Sequence, residues 1–81
     1  MQSAEGLRIE MLKAAHLKGE EKYQALRNIK SQINKIEKEA SMNFDYPLRE
    51  INITRELLLD VNAGLRSFLP ARKKLKSTQR N

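Results

Sequence analysis

The chain has 81 residues, no cysteine and a formal net charge of +6. A chain of this length holds one small domain with a small core, and the lack of cysteine excludes disulfides, thiolate nucleophiles and cysteine-based zinc sites. Residues 1–70 carry eleven basic and ten acidic side chains, whereas residues 71–81 carry five basic side chains and no acid, so the basic element is the tail.

The first predicted helix covers residues 4–18. Ser3 precedes it, and a serine side chain at that position accepts a hydrogen bond from a free N–H of the first turn. Four apolar residues share one side at i, i+4, i+7 and i+8, namely Leu7, Met11, Ala14 and Ala15. Gly19 suits the left-handed conformation that commonly follows the end of a helix.

The second predicted helix covers residues 20–40. Its apolar residues repeat at spacings of 3, 4, 3 and 4, and they are Leu26, Ile29, Ile33, Ile36 and Ala40. A stripe of two heptads is typical of the seam of a helical hairpin or bundle. Because only a short turn at Gly19 separates this helix from the first, the two are predicted to pack antiparallel.

Residues 41–52 interrupt the helical pattern. The turn formers Asn43, Asp45 and Pro47 alternate with large apolar side chains. Those apolar residues are Phe44, Tyr46, Leu48 and Ile51. We expect a loop that packs back on the helices, with Pro47 as a candidate start for the next helix.

The third predicted helix is best defined over residues 54–69, with Asn52 or Thr54 as its cap and Pro70 as its end. Its predicted core face consists of Leu58, Val61, Leu65 and Phe68, widened by Leu57 and Leu69. Gly64 lies inside this helix, where it either permits a close helix crossing or weakens the helix.

Three amphipathic helices predict an all-α fold, a small three-helix bundle made of an antiparallel helical hairpin plus a third helix. Residues 1–70 are interpreted as a single helical domain, and residues 71–81 as a basic, flexible tail. The alternative is a helical hairpin whose detached third helix is completed by a partner.

The sequence gives little support for catalysis. His16 is the only histidine, and no nucleophile or further metal ligand stands at a matching spacing. The chain has no phosphate-binding, dinucleotide-binding or zinc-protease motif. We therefore expect no enzymatic activity, no catalytic residue, no metal site and no cofactor. The absence of a signal-peptide pattern and of a long apolar run predicts a cytoplasmic location.

Two basic features indicate a polyanionic partner. One flank of the second helix carries Arg27, Lys30, Asn34 and Lys38, which are residue types that contact phosphate or ribose. The tail carries Arg72, Lys73, Lys74 and Lys76 without an acid. An ordinary solvated helix face and a solubilising tail are the respective alternatives.

Residues 10–37 resemble the amino-terminal helical hairpin of the YqeY family, which is related to the tail domain of GatB, a subunit of the tRNA-dependent amidotransferase. The matching positions, without a gap, are Glu10-Met11, Ala14, residues 18–21, Leu26-Arg27, Lys30 and Glu37. The resemblance covers about a third of the chain, is built from common helix formers and ends after Glu39. It implies a helical module that contacts tRNA, with Arg27 and Lys30 as the positions carried over.

The outline of a long second helix, the loop at residues 44–48 and a basic end is also similar to the immunity proteins of pediocin-like bacteriocins. Our leading hypothesis is a non-enzymatic RNA-binding module, with tRNA as the favoured RNA. The alternative is a protein-interaction module, an inhibitor or immunity factor that docks on a protein through Phe44, Tyr46, Leu48 and Ile51. A self-associating bundle, or homo-oligomer, is the third interpretation.

Overall fold

A computed structural model of the chain describes residues 3–68. Three helices occur in this range, α1 (Ala4–Ala14), α2 (Gly19–Met42) and α3 (Leu48–Arg66). Each helix contacts the other two, so the predicted all-α three-helix bundle is confirmed and the detached third helix is wrong. The four tail residues predicted to bind nucleic acid, Arg72, Lys73, Lys74 and Lys76, lie outside the described residues.

The helices α1 and α3 begin side by side and run in the same direction. The Ala4 N–H at the start of α1 donates to Glu50 Oε1 in the first turn of α3 at 2.9 Å. One turn further along α1, Arg8 shares a surface groove with Asn52 and Glu56 of α3. Equivalent turns of the two helices therefore face each other.

The helix α2 runs antiparallel to α3. A Cβ built on Gly64, near the end of α3, would lie 3.0 Å from Leu26 Cδ1 in the first half of α2. At the other end of the pair, Ala40 of α2 shares a groove with Ile51 of α3. The two long helices thus form a hairpin, and α1 packs against one side of it.

The core confirms the apolar stripe predicted for α2. Its members Leu26, Ile29, Ile33 and Ile36 are buried, and Ala40 is half-buried. The other buried apolar residues are Ala4, Leu7 and Ala14 from α1 and Ile53, Leu57 and Val61 from α3. The α2 stripe therefore lies between the two other helices.

The start of α1 was predicted correctly, but its end was not. Ser3 Oγ accepts from the Gly6 N–H at 3.1 Å, which confirms the cap. The helix stops at Ala14 because the chain tightens into i→i−3 bonds, in which the N–H groups of His16 and Leu17 donate to the carbonyls of Lys13 and Ala14.

Two further expectations for this region need correction. Ala15, predicted on the core side of the first helix, is exposed because it lies past the end of that helix. Gly19 has the expected positive φ, +59°, but it is the first residue of α2 rather than the end of α1. The left-handed residue follows a four-residue turn, residues 15–18, in which Lys18 is extended.

The helix α3 begins at Leu48, so neither Asn52 nor Thr54 is its cap. Pro47, the other candidate, immediately precedes the helix with a φ of −59°, a value set by its ring. Thr54 lies inside the helix and is buried, and its hydroxyl donates to the Glu50 carbonyl at 2.6 Å. The loop predicted over residues 41–52 therefore shortens to residues 43–47.

The buried face of α3 is rotated relative to the prediction. Of the residues predicted to form it, Leu57 and Val61 are buried, Leu58, Leu65 and Phe68 are partly buried against the core, and Leu69 lies outside the described residues. The buried ridge instead follows i, i+4 spacing through Ile53, Leu57 and Val61. This ridge lies in the middle of the buried face of α3, because α3 packs against both α1 and α2.

Candidate nucleic-acid interface

The basic flank of α2 faces away from α1. The helix α1 borders the opposite flank, where Ala14 shares a groove with Asn28 and Ile29 of α2. Residues three or four apart stack along one side of a helix, which places Arg27, Lys30, Asn34 and Lys38 together on the uncovered flank. Arg27, Asn34 and Lys38 are exposed and Lys30 is half-buried.

A shallow groove runs between α2 and α3 beside this flank. Its volume is about 230 Å³. Four lining residues are buried or half-buried, Ile36 and Ala40 from α2 and Ile51 and Thr54 from α3, and three are exposed, Glu37, Ser41 and Arg55. Arg55 adds a cation to the uncovered side, and we call Arg27, Lys30, Asn34, Lys38 and Arg55 the basic face.

The cations of the basic face are available to a ligand. Both ion pairs recorded among residues 3–68 use Glu5, with Arg8 at 3.9 Å and Arg49 at 2.8 Å. The Arg27 guanidinium carbon lies 6.0 Å from the centroid of the Tyr23 ring. A cation–π contact at that distance orients the side chain without neutralising its charge.

An aromatic pair supports this end of the basic face. The rings of Tyr23 and Phe68 meet edge to face, with centroids 5.4 Å apart and planes at 71°. Such pairs stabilise packing beyond the burial of their area. Through these two contacts, the side chains of Arg27, Tyr23 and Phe68 link the basic flank of α2 to the residues that follow α3.

The four residues predicted to bind a protein partner are not brought together as one surface. Phe44 and Leu48 are exposed, with relative exposures of 109% and 71%. Ile51 is half-buried and lines the groove, while Tyr46 packs against the core. The expectation that the large side chains of this loop pack back on the helices is therefore met by Tyr46 and Ile51 but not by Phe44 and Leu48.

The hydrogen bonds of the turn between α2 and α3 explain why Tyr46 packs inward whereas Phe44 is exposed. The Asp45 N–H donates to Asn43 Oδ1 at 3.0 Å, and the Tyr46 N–H donates to the Asn43 carbonyl at 3.2 Å. This Asx turn directs Tyr46 inward. Burial raises the pKa of the Tyr46 phenol, and the Glu39 and Glu50 carboxylates raise it further.

Sequence reasoning missed two residues of these surfaces. Met42 at the end of α2 is exposed, with a relative exposure of 71%, and we call the three exposed apolar residues at the α2–α3 turn, Met42, Phe44 and Leu48, the turn patch. Arg55 was visible as a polar residue of the third helix, but its place beside α2 depends on which flank of α3 faces α2. The i+4 relation between Ile51 and Arg55 is the signal that would have placed both on one groove.

The described part of the chain offers no group of three or more His, Asp or Glu side chains that could hold a metal ion. His16 is exposed at the turn after α1. None of the helices between residues 3 and 68 has the length and apolar character needed to cross a membrane. Comparison of the chain with models of protein families, with curated proteins and with solved structures found no match.

Proposed function

We propose that this protein binds RNA, and tRNA in particular, through the basic face. One observation carries the proposal: the basic and polar side chains of α2 and Arg55 of α3 lie on the side of the bundle that α1 leaves uncovered, and no ion pair among residues 3–68 involves them. The resemblance of residues 10–37 to the YqeY hairpin supports tRNA as the RNA class. The acid-free tail would add phosphate contacts.

The salt dependence of binding follows from the number of cations. Three phosphate contacts, from Arg27, Lys30 and Lys38 of the basic face, correspond to a slope of log affinity against log salt of about −2 to −3. Each tail cation that contacts a phosphate would steepen the slope by about 0.7–0.9. Binding that does not weaken with salt would therefore contradict an electrostatic interface.

The proposal is tested by fluorescence anisotropy of labelled tRNA with the full chain. Arg27→Glu removes one phosphate contact and adds repulsion, so we expect affinity to fall about tenfold. Lys13→Glu is the matched control, because Lys13 is an exposed lysine that lies in the groove between α1 and α2. Equal losses of tRNA affinity for both variants would mean that only the net charge matters, which would contradict a site on the basic face.

A second candidate function is docking on a protein through the turn patch. The observation in its favour is the full exposure of Phe44, the middle residue of the Asx turn, while Tyr46 packs against the core. Exposed aromatic side chains of this kind serve as anchors in protein interfaces. Phe44→Ala should then abolish partner binding while leaving tRNA affinity unchanged, whereas Arg27→Glu should have the reverse effect.

A further inference from the structure

The groove between α2 and α3 combines an apolar floor with two opposite charges. Ile36 and Thr54 are buried, with relative exposures of 3% and 2%, and Ala40 and Ile51 are half-buried. The Thr54 hydroxyl already donates to the Glu50 carbonyl, so it brings no unsatisfied donor to the groove. The floor is therefore suited to a flat apolar surface.

The charged groups of the groove are Glu37 from α2 and Arg55 from α3. They line one groove but form no ion pair with each other, and no ion pair among residues 3–68 uses either of them. The third exposed group, Ser41, already donates its hydroxyl to the Lys38 carbonyl at 2.7 Å. The groove thus offers a carboxylate acceptor and a guanidinium donor that do not pair with each other, together with apolar lining residues.

We propose that this groove binds an unpaired guanine base of the RNA, an inference that rests on the proposed RNA-binding function. The Watson–Crick edge of guanine carries two neighbouring donors, N1–H and the N2 amino group, which match the two oxygens of the Glu37 carboxylate. Guanine O6 and N7 are acceptors that arginine commonly binds, which matches Arg55. The faces of the base would contact the apolar floor.

The other bases fit this arrangement less well. Adenine and cytosine present one amino donor next to an acceptor nitrogen on the same edge, and uracil presents one N–H between two acceptors. Each would place an acceptor lone pair against the Glu37 carboxylate. Guanine is therefore the base whose edge this acceptor–donor pair selects.

The basic face would contact the phosphates of the nucleotides next to the bound base. Lys38 is adjacent to Glu37 in α2, and Asn34 and Lys30 precede it by about one and two turns. These side chains would contact the phosphates on one side of the inserted base. Sequence-specific RNA recognition commonly works in this way, with a single base turned out of a loop or single strand and read at its edge.

The test compares three fluorescein-labelled oligouridylates that differ only in a central guanosine, inosine or adenosine. Inosine lacks the N2 amino group, so we expect the full-length protein to bind the guanosine RNA about fivefold more tightly than the inosine RNA. Glu37→Gln should abolish this preference. The matched control Glu56→Gln makes the same charge change in the groove between α1 and α3 and should retain the preference.

Equal binding of all three RNAs, or a preference that survives Glu37→Gln, would overturn the guanine site. If Arg27→Glu still weakens binding in that case, the proposed RNA-binding function stands without it. Failure to bind any RNA would overturn both. Guanosine monophosphate supplies a second measurement, since it should shift the methyl NMR signals of Ile36 and Ile51 more than inosine monophosphate does.

Discussion

Gly64 allows α3 to approach Leu26 of α2. A Cβ at this position would stand 3.0 Å from Leu26 Cδ1, which is tighter than ordinary van der Waals contact. Alanine would gain about 1 kcal/mol of helix propensity over glycine, but its Cβ would require Leu26, which is buried in the core, to move by a few tenths of an ångström. The two alternatives considered for this glycine therefore resolve in favour of a close crossing.

A larger side chain at position 64 should destabilise the bundle. We expect Gly64→Leu to lower the free energy of unfolding by about 1–3 kcal/mol, because the added methyl groups meet Leu26 inside a packed interface. Ala63→Leu, at the exposed neighbouring position, should change it by less than about 0.5 kcal/mol. Urea unfolding followed by circular dichroism measures both, and equal effects would contradict a close crossing.

Tyr46 should titrate above the ordinary tyrosine pKa of 10.0, because burial and then the Glu39 and Glu50 carboxylates raise its pKa. The sequence has two tyrosines, so Tyr23→Phe leaves Tyr46 as the only phenol. Its ionisation can then be followed by ultraviolet absorbance. The same variant in concentrated urea is the control, and there the phenol should titrate near its ordinary value.

The sign of the linked stability effect follows from this direction. The folded state holds the phenolic proton more tightly than the unfolded state, so the contribution of Tyr46 is complete below pH 10.0. It should be lost as pH rises from that value through the raised pKa of the folded state. A folded-state titration at or below the value measured in urea would contradict the inward position of Tyr46.

At the scale of the elements, α1 depends on α3 for its N-terminus. A free N–H at a helix start needs an acceptor, and Glu50 of α3 supplies one to Ala4 at 2.9 Å. The adjacent contact from Arg49 to Glu5 is exposed and contributes little. The start of α1 is therefore fixed by a cap from its own chain neighbour, Ser3, and by a second cap from another helix.

Glu50→Ala should loosen α1 selectively. We expect a loss of about 1 kcal/mol, typical of removing a helix cap, and faster hydrogen exchange of the α1 amides than of those in the second half of α3. Glu56→Ala is the matched control, since Glu56 is exposed on the same helix and makes no hydrogen bond to α1. Uniformly faster exchange in all three helices would contradict a local cap.

The sequence predicted the elements better than their contacts. The stripe of α2 and the Ser3 cap could be predicted because periodicity and capping are local properties. The buried ridge of α3 was predicted only in part: Leu57 and Val61 belonged to the predicted face, whereas Ile53 precedes the predicted start of the helix. Tyr46 and Phe44 have similar character in the sequence, and only the turn geometry separates them.

For the candidate site, too, local features could be predicted and contacts between helices could not. The flank of α2 could be derived from helical spacing, but its exposure depends on where α1 packs. Arg55 joins it only through the antiparallel arrangement of α2 and α3. Contacts between residues far apart in the chain are set by packing, which a single sequence does not specify.

At the scale of the whole molecule, the positions of the charged side chains matter more than the net charge. Residues 1–70 have a net charge of only +1, from eleven bases and ten acids, so net charge alone gives this part of the chain little attraction for RNA. The basic face gathers four cations on one side of the α2–α3 hairpin, and Glu37 is the acid in the adjoining groove. Local field, rather than overall charge, would guide RNA to this side.

The unequal lengths of the helices have a consequence for the order of folding. The 24 residues of α2 span about 36 Å, whereas the 11 residues of α1 span about 16 Å. A helix shorter than about 12 residues is marginal on its own in water. We therefore expect the α2–α3 hairpin to form in the transition state and α1 to dock afterwards.

Stopped-flow kinetics would reveal this order. Met11→Ala, in α1, should mainly accelerate unfolding, whereas Ile33→Val, in the buried stripe of α2, should mainly slow folding. The reverse pattern would place α1 in the folding nucleus. If the expected order holds, the basic face is already assembled on the α2–α3 hairpin before α1 docks.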